Sequence, residues 1–90
     1  MKKKTIKIIE DTKLAEEVAR ELTKNGFTVL KILIESDSRP VITIKNNKLC
    51  IRLGGFLKRH LRASEGCKQE YETSFSGVRV EWSVPVKGIV

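Results

Sequence analysis

Apolar residues in the first third of the chain recur every three to four positions, which is the spacing of one helical face. Leu14, Val18 and Leu22 form the stripe, and Ala15 and Ala19 lie beside it. This pattern predicts an amphipathic helix that buries one side against the rest of the protein.

The sequence contains candidate capping residues at both ends of this helix. The cluster Glu10-Asp11-Thr12 contains favourable N-cap residues, and the run Thr-Ile-Lys-Ile-Ile at 5–9 before it predicts a short β-strand. At the other end, Asn25-Gly26 predicts a left-handed cap, with Phe27 as the hydrophobic contact that commonly follows. The helix is therefore expected to start near Thr12, behind a first strand.

The middle of the chain predicts three strands. Residues 27–35 are apolar on both alternating sets, which is typical of a strand buried in the middle of a sheet. A turn at 37–40 follows, and the runs 41–45 and 48–53 predict a hairpin joined through Asn46-Asn47.

A two-residue loop in this hairpin would pair Ile44 with Leu49 and Ile42 with Ile51, and these four residues would face the core. The other face of the hairpin is then expected to carry the remaining side chains: Thr43, Lys45, Lys48, Cys50 and Arg52.

After Gly54-Gly55, the apolar residues Phe56, Leu57 and Leu61 predict a short helix over 56–63, which Glu65-Gly66 would end.

Cys67 to Phe75 and Val78 to Val84 predict a second hairpin around Ser76-Gly77. Its register pairs Phe75 with Val78, Thr73 with Val80, and Tyr71 with Trp82. Because the two aromatic residues alternate with other apolar positions, they are expected to be core residues and not a platform for stacking bases.

These elements predict one α+β domain over residues 1–90, in the order β-α-β-β-β-α-β-β, with a mostly antiparallel sheet and two helices packed on one face. Residues 1–4 are expected to form a basic, frayed tail.

The element order from Leu14 to Val84, with the cap Lys24-Asn25-Gly26-Phe27, resembles the layout of the DNA-binding double-wing domain of phage middle-promoter activators. The resemblance is one of layout, and no residue roles are transferred from it. Such isolated domains are common in phage, plasmid and archaeal proteins, but no feature assigns a source.

Composition restricts the function classes. Ninety residues support one hydrophobic core and no second domain. Lys7, Glu10 and Asp11 interrupt any signal-peptide core, and apolar runs are too short to cross a bilayer, so we expect a soluble cytoplasmic protein without a membrane partner. Cys50 and Cys67 lack metal-ligand spacing, which favours free thiols in a reducing compartment.

Positive charge is concentrated in one segment. The formal net charge is +7, and no acidic residue lies between Asp37 and Glu65. That segment contains seven cations, which are the predicted nucleic-acid-binding residues: Arg39, Lys45, Lys48, Arg52, Lys58, Arg59 and Arg62. The last three would crowd one short helix and repel each other, and a phosphate backbone would relieve that repulsion. One interpretation of Gly54-Gly55 is that backbone amides at the start of this helix approach a phosphate, but a simple strand-to-helix turn is the favoured interpretation.

The leading hypothesis is a non-catalytic DNA- or RNA-binding module, such as a transcriptional or host-directed regulator, that contacts mainly phosphates. The alternative is a protein-interaction or inhibitor module that docks on an acidic protein partner. No catalytic motif, metal site or cofactor site is expected, and His60 is expected to face solvent or phosphate. Whether the chain is a monomer, or a homodimer formed through the last hairpin or the amino-terminal strand, stays open.

Overall fold

The computed structural model describes residues 2–63 and 66–86. The chain forms a mixed five-stranded sheet and one long helix. In chain order, the elements are α1 (Lys3–Lys24), β1 (Val29–Leu33), β2 (Val41–Ile44), a 3₁₀ helix (Lys48–Leu53), β3 (Phe56–Ala63), β4 (Gly66–Phe75) and β5 (Val78–Val86). The strand order is β1-β2-β5-β4-β3, with β2 and β5 parallel and the other neighbours antiparallel. The α+β class is therefore confirmed.

The start of α1 differs from the prediction, because the run 5–9 is helical and not a strand. Thr12 does not cap the helix, since its hydroxyl donates to the carbonyl of Ile8 at 2.6 Å. Asp11 likewise lies inside the helix, where its Oδ2 is 2.5 Å from Nζ of Lys7 one turn earlier. Three isoleucines in five residues fit a strand and a helix equally well by pattern, and here the helix continues through them.

The end of α1 is as predicted. Gly26 has a φ of 92°, and its N–H donates to the carbonyl of Thr23 at 3.1 Å. The N–H of Phe27 donates to the carbonyl of Leu22 at 3.0 Å, which completes a Schellman cap. Phe27 is buried in the core.

β1 is an edge strand, so its predicted central position is wrong. It pairs with β2 only, and the inner position beside β2 is taken by β5 through a parallel pairing between distant parts of the chain. Leu30, Ile32 and Leu33 of this strand expose 61%, 43% and 43% of their surface. A strand that is apolar on both faces is thus left with one open edge.

The predicted hairpin across Asn46-Asn47 is also wrong, because 48–53 forms the 3₁₀ helix. Oδ1 of Asn47 accepts a hydrogen bond from the N–H of Leu49 at 2.8 Å, and the carbonyl of Asn47 accepts one from the N–H of Cys50 at 3.1 Å. An asparagine that caps a following turn in this way competes with strand pairing. Cys50, which was expected on the outer face, is 3% exposed and belongs to the core, as do Ile42 and Ile44.

Residues 56–63, predicted as a helix, form β3, which pairs antiparallel with β4 from Phe56↔Glu72 to Ala63↔Gly66. An eight-residue helix gains little by itself, whereas a strand satisfies backbone groups along the long β4, whose edge would otherwise be unpaired. The second packed helix and the predicted element order are therefore wrong. The likeness to the double-wing layout rested on that order and is lost with it.

The last hairpin matches its predicted register, with Phe75↔Val78, Thr73↔Val80 and Tyr71↔Trp82 as pairs. Positive φ angles of 51° at Ser76 and 83° at Gly77 make the two-residue turn that determines this register.

The core lies between one face of the sheet and α1, and the 3₁₀ helix covers its end. Val18 and Leu22 of α1 pack with Ile42, Val80 and Trp82 of the sheet, and all five are at most 5% exposed. The opposite face of the sheet is not covered by any described element. Within the described ranges, no helix has the length and apolar character needed to cross a membrane.

Candidate nucleic-acid interface

Three of the predicted cations lie on the segment that leaves β2. Lys45 follows the strand directly, and Lys48 and Arg52 belong to the 3₁₀ helix. All three are exposed, and none is in an ion pair with any carboxylate whose side chain the structure describes. These cations are consequently available to an external anion.

The 3₁₀ helix is held by contacts on its inner side. Cys50 is buried, and Leu49 and Leu53 pack against the core. The hydroxyl of Thr73 on β4 donates to the carbonyl of Leu53 at 3.3 Å, and Nδ2 of Asn47 donates to the carbonyl of Gly26 at 3.3 Å. Anchored at both ends, this short helix presents its charged residues on a fixed support.

Lys48 borders a cavity whose wall contains the two aromatic residues of the last hairpin. The rings of Tyr71 and Trp82 are stacked, with centroids 5.9 Å apart and planes at 9°. Trp82 is 5% exposed, and Tyr71 donates its hydroxyl to Oε1 of Gln69 at 3.0 Å. Trp82 is a core residue, as predicted, whereas Tyr71 is only partly buried, packs against the core and borders the same cavity as Lys48.

The cations at 58, 59 and 62 are placed by the backbone of β3, and their side chains, like that of His60, lie outside the described ones. Because this segment is a strand, the three cations do not crowd one short helix, as the sequence had suggested. The register pairs Arg59 with Glu70 and Arg62 with Cys67. A segment without acidic residues in the sequence thus has an acidic neighbour in the sheet.

The sheet brings the end of β3 towards the end of β2 that carries Lys45. Thr43 pairs with Glu81, and β5 continues beyond that row to Val86, which pairs with Cys67 of β4. Cys67 in turn pairs with Arg62. Along the strand direction, the second half of β3 therefore lies beyond the end of β2. Across the sheet, β3 is three strand spacings, or ~14 Å, from β2.

Arg39 is separated from the other cations. It lies in the connection before β2, whereas Lys45 follows that strand, and six residues of extended chain span ~20 Å. Arg39 instead borders a hollow on the uncovered face of the sheet, together with Lys31, Glu35 and Arg79. The structure thus places Arg39 at the opposite end of β2 from Lys45.

Lys68 is a cation that the sequence reasoning missed. It is exposed on β4, in register with Leu61 of β3 and Pro85 of β5, and therefore lies among the β3 cations in the sheet. Residues 65–90 carry three basic and four acidic side chains, so no local charge excess pointed to Lys68. Aligning the predicted last hairpin with a strand at 56–63 would have revealed it.

Among the described residues, no three side chains of His, Cys, Asp or Glu come close enough to hold a metal ion. The thiol of Cys50 is free and buried. Lys45, Lys48 and Arg52, with the backbone positions of β3, are consequently the features from which a binding role can be argued.

Comparison with known proteins adds no further assignment, because no family model, no curated protein and no solved structure matches this chain.

Proposed function

We propose that the chain is a non-catalytic module that binds DNA or RNA mainly through phosphate contacts. The observation that carries the proposal is the exposure of Lys45, Lys48 and Arg52 on one anchored segment, without described carboxylate partners. Lys58, Arg59 and Arg62 on β3 are the further proposed contacts. Each cation that docks on a phosphate releases a condensed counterion into solution. This release favours binding and makes the affinity fall as the salt concentration rises.

A phosphate-directed mode is supported by where the aromatic side chains lie. Trp82 is buried, and Tyr71 stacks against it with one ring face, so this pair does not offer two exposed rings to successive bases. Contacts restricted to phosphates position a nucleic acid without reading its sequence. The module should therefore bind different sequences with similar affinity.

The test is a titration of labelled duplex DNA, single-stranded DNA and RNA with the purified chain, followed by fluorescence anisotropy at several salt concentrations. If Lys45, Lys48 and Arg52 each contact a phosphate of duplex DNA, the slope of log affinity against log salt is about −2.7. Each contact from β3 makes the slope steeper by about 0.9.

Charge reversal provides the site-specific comparison. The variant Lys48→Glu with Arg52→Glu should weaken binding to all sequences alike and reduce the slope by about 1.8. Its matched control is Lys4→Glu with Lys13→Glu, which makes the same charge change at exposed positions of α1. The control should retain most of the affinity.

Two outcomes contradict the proposal. If the two double variants lose the same affinity, binding depends on net charge and not on this surface. If the native chain binds nucleic acid no better than a basic control protein such as lysozyme, the alternative of an acidic protein partner is favoured.

A further inference from the structure

The sheet ends at β1 on one side and at β3 on the other, and the edge formed by β1 is an apolar strand. β1 has a strand beside it on one side only, and Leu30, Ile32 and Leu33 expose between 43% and 61% of their surface. Single exposed apolar residues are ordinary on protein surfaces, but an uncovered strand edge with several together favours pairing with another strand. The two edges expected from the sequence are not available, because the amino-terminal segment is helical and the last hairpin is inside the sheet.

The two faces of this edge differ in chemistry. Lys31, Leu33 and Glu35 border the hollow on the uncovered face of the sheet. Ile32 and Ile34 border a groove between β1 and α1. Ile34 and Glu35 directly follow the end of β1 at Leu33. From Lys31 to Glu35, one face of the segment therefore reads positive, apolar, negative, and the other face is apolar.

We propose that β1 pairs with β1 of a second copy of this chain, antiparallel and around a two-fold axis that passes through Leu33 perpendicular to the sheet. In this register, Leu33 faces its own symmetry mate. Lys31 of each copy lies opposite Glu35 of the other, and Ile32 lies opposite Ile34 of the other. The segment is thus complementary to itself in charge and in apolar character, which identifies a second copy as the occupant.

The other registers with this symmetry fit less well. A two-fold axis perpendicular to the sheet keeps each residue on its own face, so it must pass through a residue and not between two residues. An axis through Lys31 would place two lysines directly opposite each other, which is destabilising. An axis through Ile32 would pair Lys31 with Leu33 and Glu35 with Val29, so neither charge would have a charged partner. Only the axis through Leu33 pairs both charges.

The same symmetry accounts for the groove beside α1. Since the axis is perpendicular to the sheet, both copies of α1 lie on the same face of the joined sheet. Ala15 and Ala19 of α1 form the helix side of the groove, and Ile32 and Ile34 form its strand side. Pairing brings the isoleucines of the two copies together between the helices, which removes apolar surface from water.

Lys7 of α1 holds the carboxyl-terminal end of the pairing segment in position. Its Nζ is 2.8 Å from the carbonyl oxygen of Ser38 and 3.4 Å from that of Glu35, and 2.5 Å from Oδ2 of Asp11. These contacts tie the residues after β1 to α1. The segment is therefore held in place before a second copy arrives, which lowers the entropic cost of association.

The test uses charge reversal at both ends of the segment, with sedimentation velocity as the measurement. The native chain should be dimeric. Lys31→Glu alone and Glu35→Lys alone each place like charges opposite each other twice per dimer, and each should raise the dimer dissociation constant by about tenfold or more. The variant with both reversals restores opposite charges and should associate as the native chain does.

A mixture of the two single variants gives the most specific test of the proposed register. Lys31→Glu carries only acids at the two positions, and Glu35→Lys carries only lysines, so together they should form a heterodimer although each alone is weakened. Circular dichroism checks that every variant is folded. A monomeric native chain, or single variants that dimerise as tightly as the native chain, would overturn the proposal, and so would failure of the mixture to associate. None of these results depends on nucleic-acid binding.

Discussion

Gly54 and Gly55 are adjacent glycines that the structure needs for different reasons. A Cβ atom on Gly55 would lie 2.3 Å from Cη2 of Trp82 and 3.0 Å from the carbonyl oxygen of Glu72. A Cβ atom on Gly54 would meet no described atom within 4 Å, but this residue has a φ of +66°. Gly55→Ala is therefore a packing change, and Gly54→Ala is a backbone change.

The two costs can be worked from this geometry. Trp82 is 5% exposed and stacks on Tyr71, so it cannot move aside without disturbing the core. Overpacking of this kind costs about 1–3 kcal/mol, and an alanine in the left-handed region costs about 1 kcal/mol. In a domain of this size, 1 kcal/mol lowers the melting temperature by about 4–8 °C. Gly55→Ala should be the more destabilising of the two changes.

Thermal unfolding by far-ultraviolet circular dichroism measures both stabilities, and the fluorescence and near-ultraviolet spectra report on Trp82, the single tryptophan of the chain. Gly55→Ala should change these spectra, whereas Gly54→Ala should leave them unchanged. Gly54→Asn should recover part of the loss, because asparagine tolerates positive φ. A Gly55→Ala variant with native stability and native tryptophan spectra would refute the reasoning.

Two further predictions concern stability. Ile42→Ala removes a side chain with no exposed surface and should cost about 2–5 kcal/mol, measured by urea unfolding, whereas Leu30→Ala, at a position 61% exposed, should cost much less. Equal effects at these two positions would contradict the assignment of β1 to the edge. Asn47→Ala removes the bonds to Leu49 and to Gly26 and should cost about 1 kcal/mol, while Asn46→Ala is the matched control.

The elements that were predicted correctly are those with strong local signals. The stripe from Leu14 to Leu22 and the cap at Gly26 lie within a few residues of the contacts they make. The last hairpin has a two-residue turn at Ser76-Gly77, and such a turn determines the whole register once the strands exist. Local geometry was sufficient in these places.

Short apolar runs were the source of the errors. The segments 5–9, 48–53 and 56–63 are between five and eight residues long, and runs of this length fit a strand or a helix by pattern alone. Each took the form that its neighbours in space required. Residues 56–63, for example, pair with the edge of β4, and 48–53 follows the cap formed by Asn47.

For the candidate site too, some features follow from the sequence and others only from the tertiary structure. The sequence alone shows that seven cations lie between Asp37 and Glu65 without an acidic residue among them, and this composition motivated the binding hypothesis. The tertiary structure decided that Arg39 lies at the far end of β2, that Lys68 lies among the cations of β3, and that Glu70 is opposite Arg59 in the strand register.

By itself, the sequence determined the α+β class, the buried face of α1, the last hairpin and the excess of positive charge. Only the tertiary structure decided that β2 pairs with β5 in parallel, which moves β1 to the edge and exposes its apolar residues. The physical reason is the range of the interactions. Caps and two-residue turns involve neighbours in the chain, whereas pairing between β2 and β5 joins segments more than thirty residues apart, and no local pattern encodes which edge another strand will occupy.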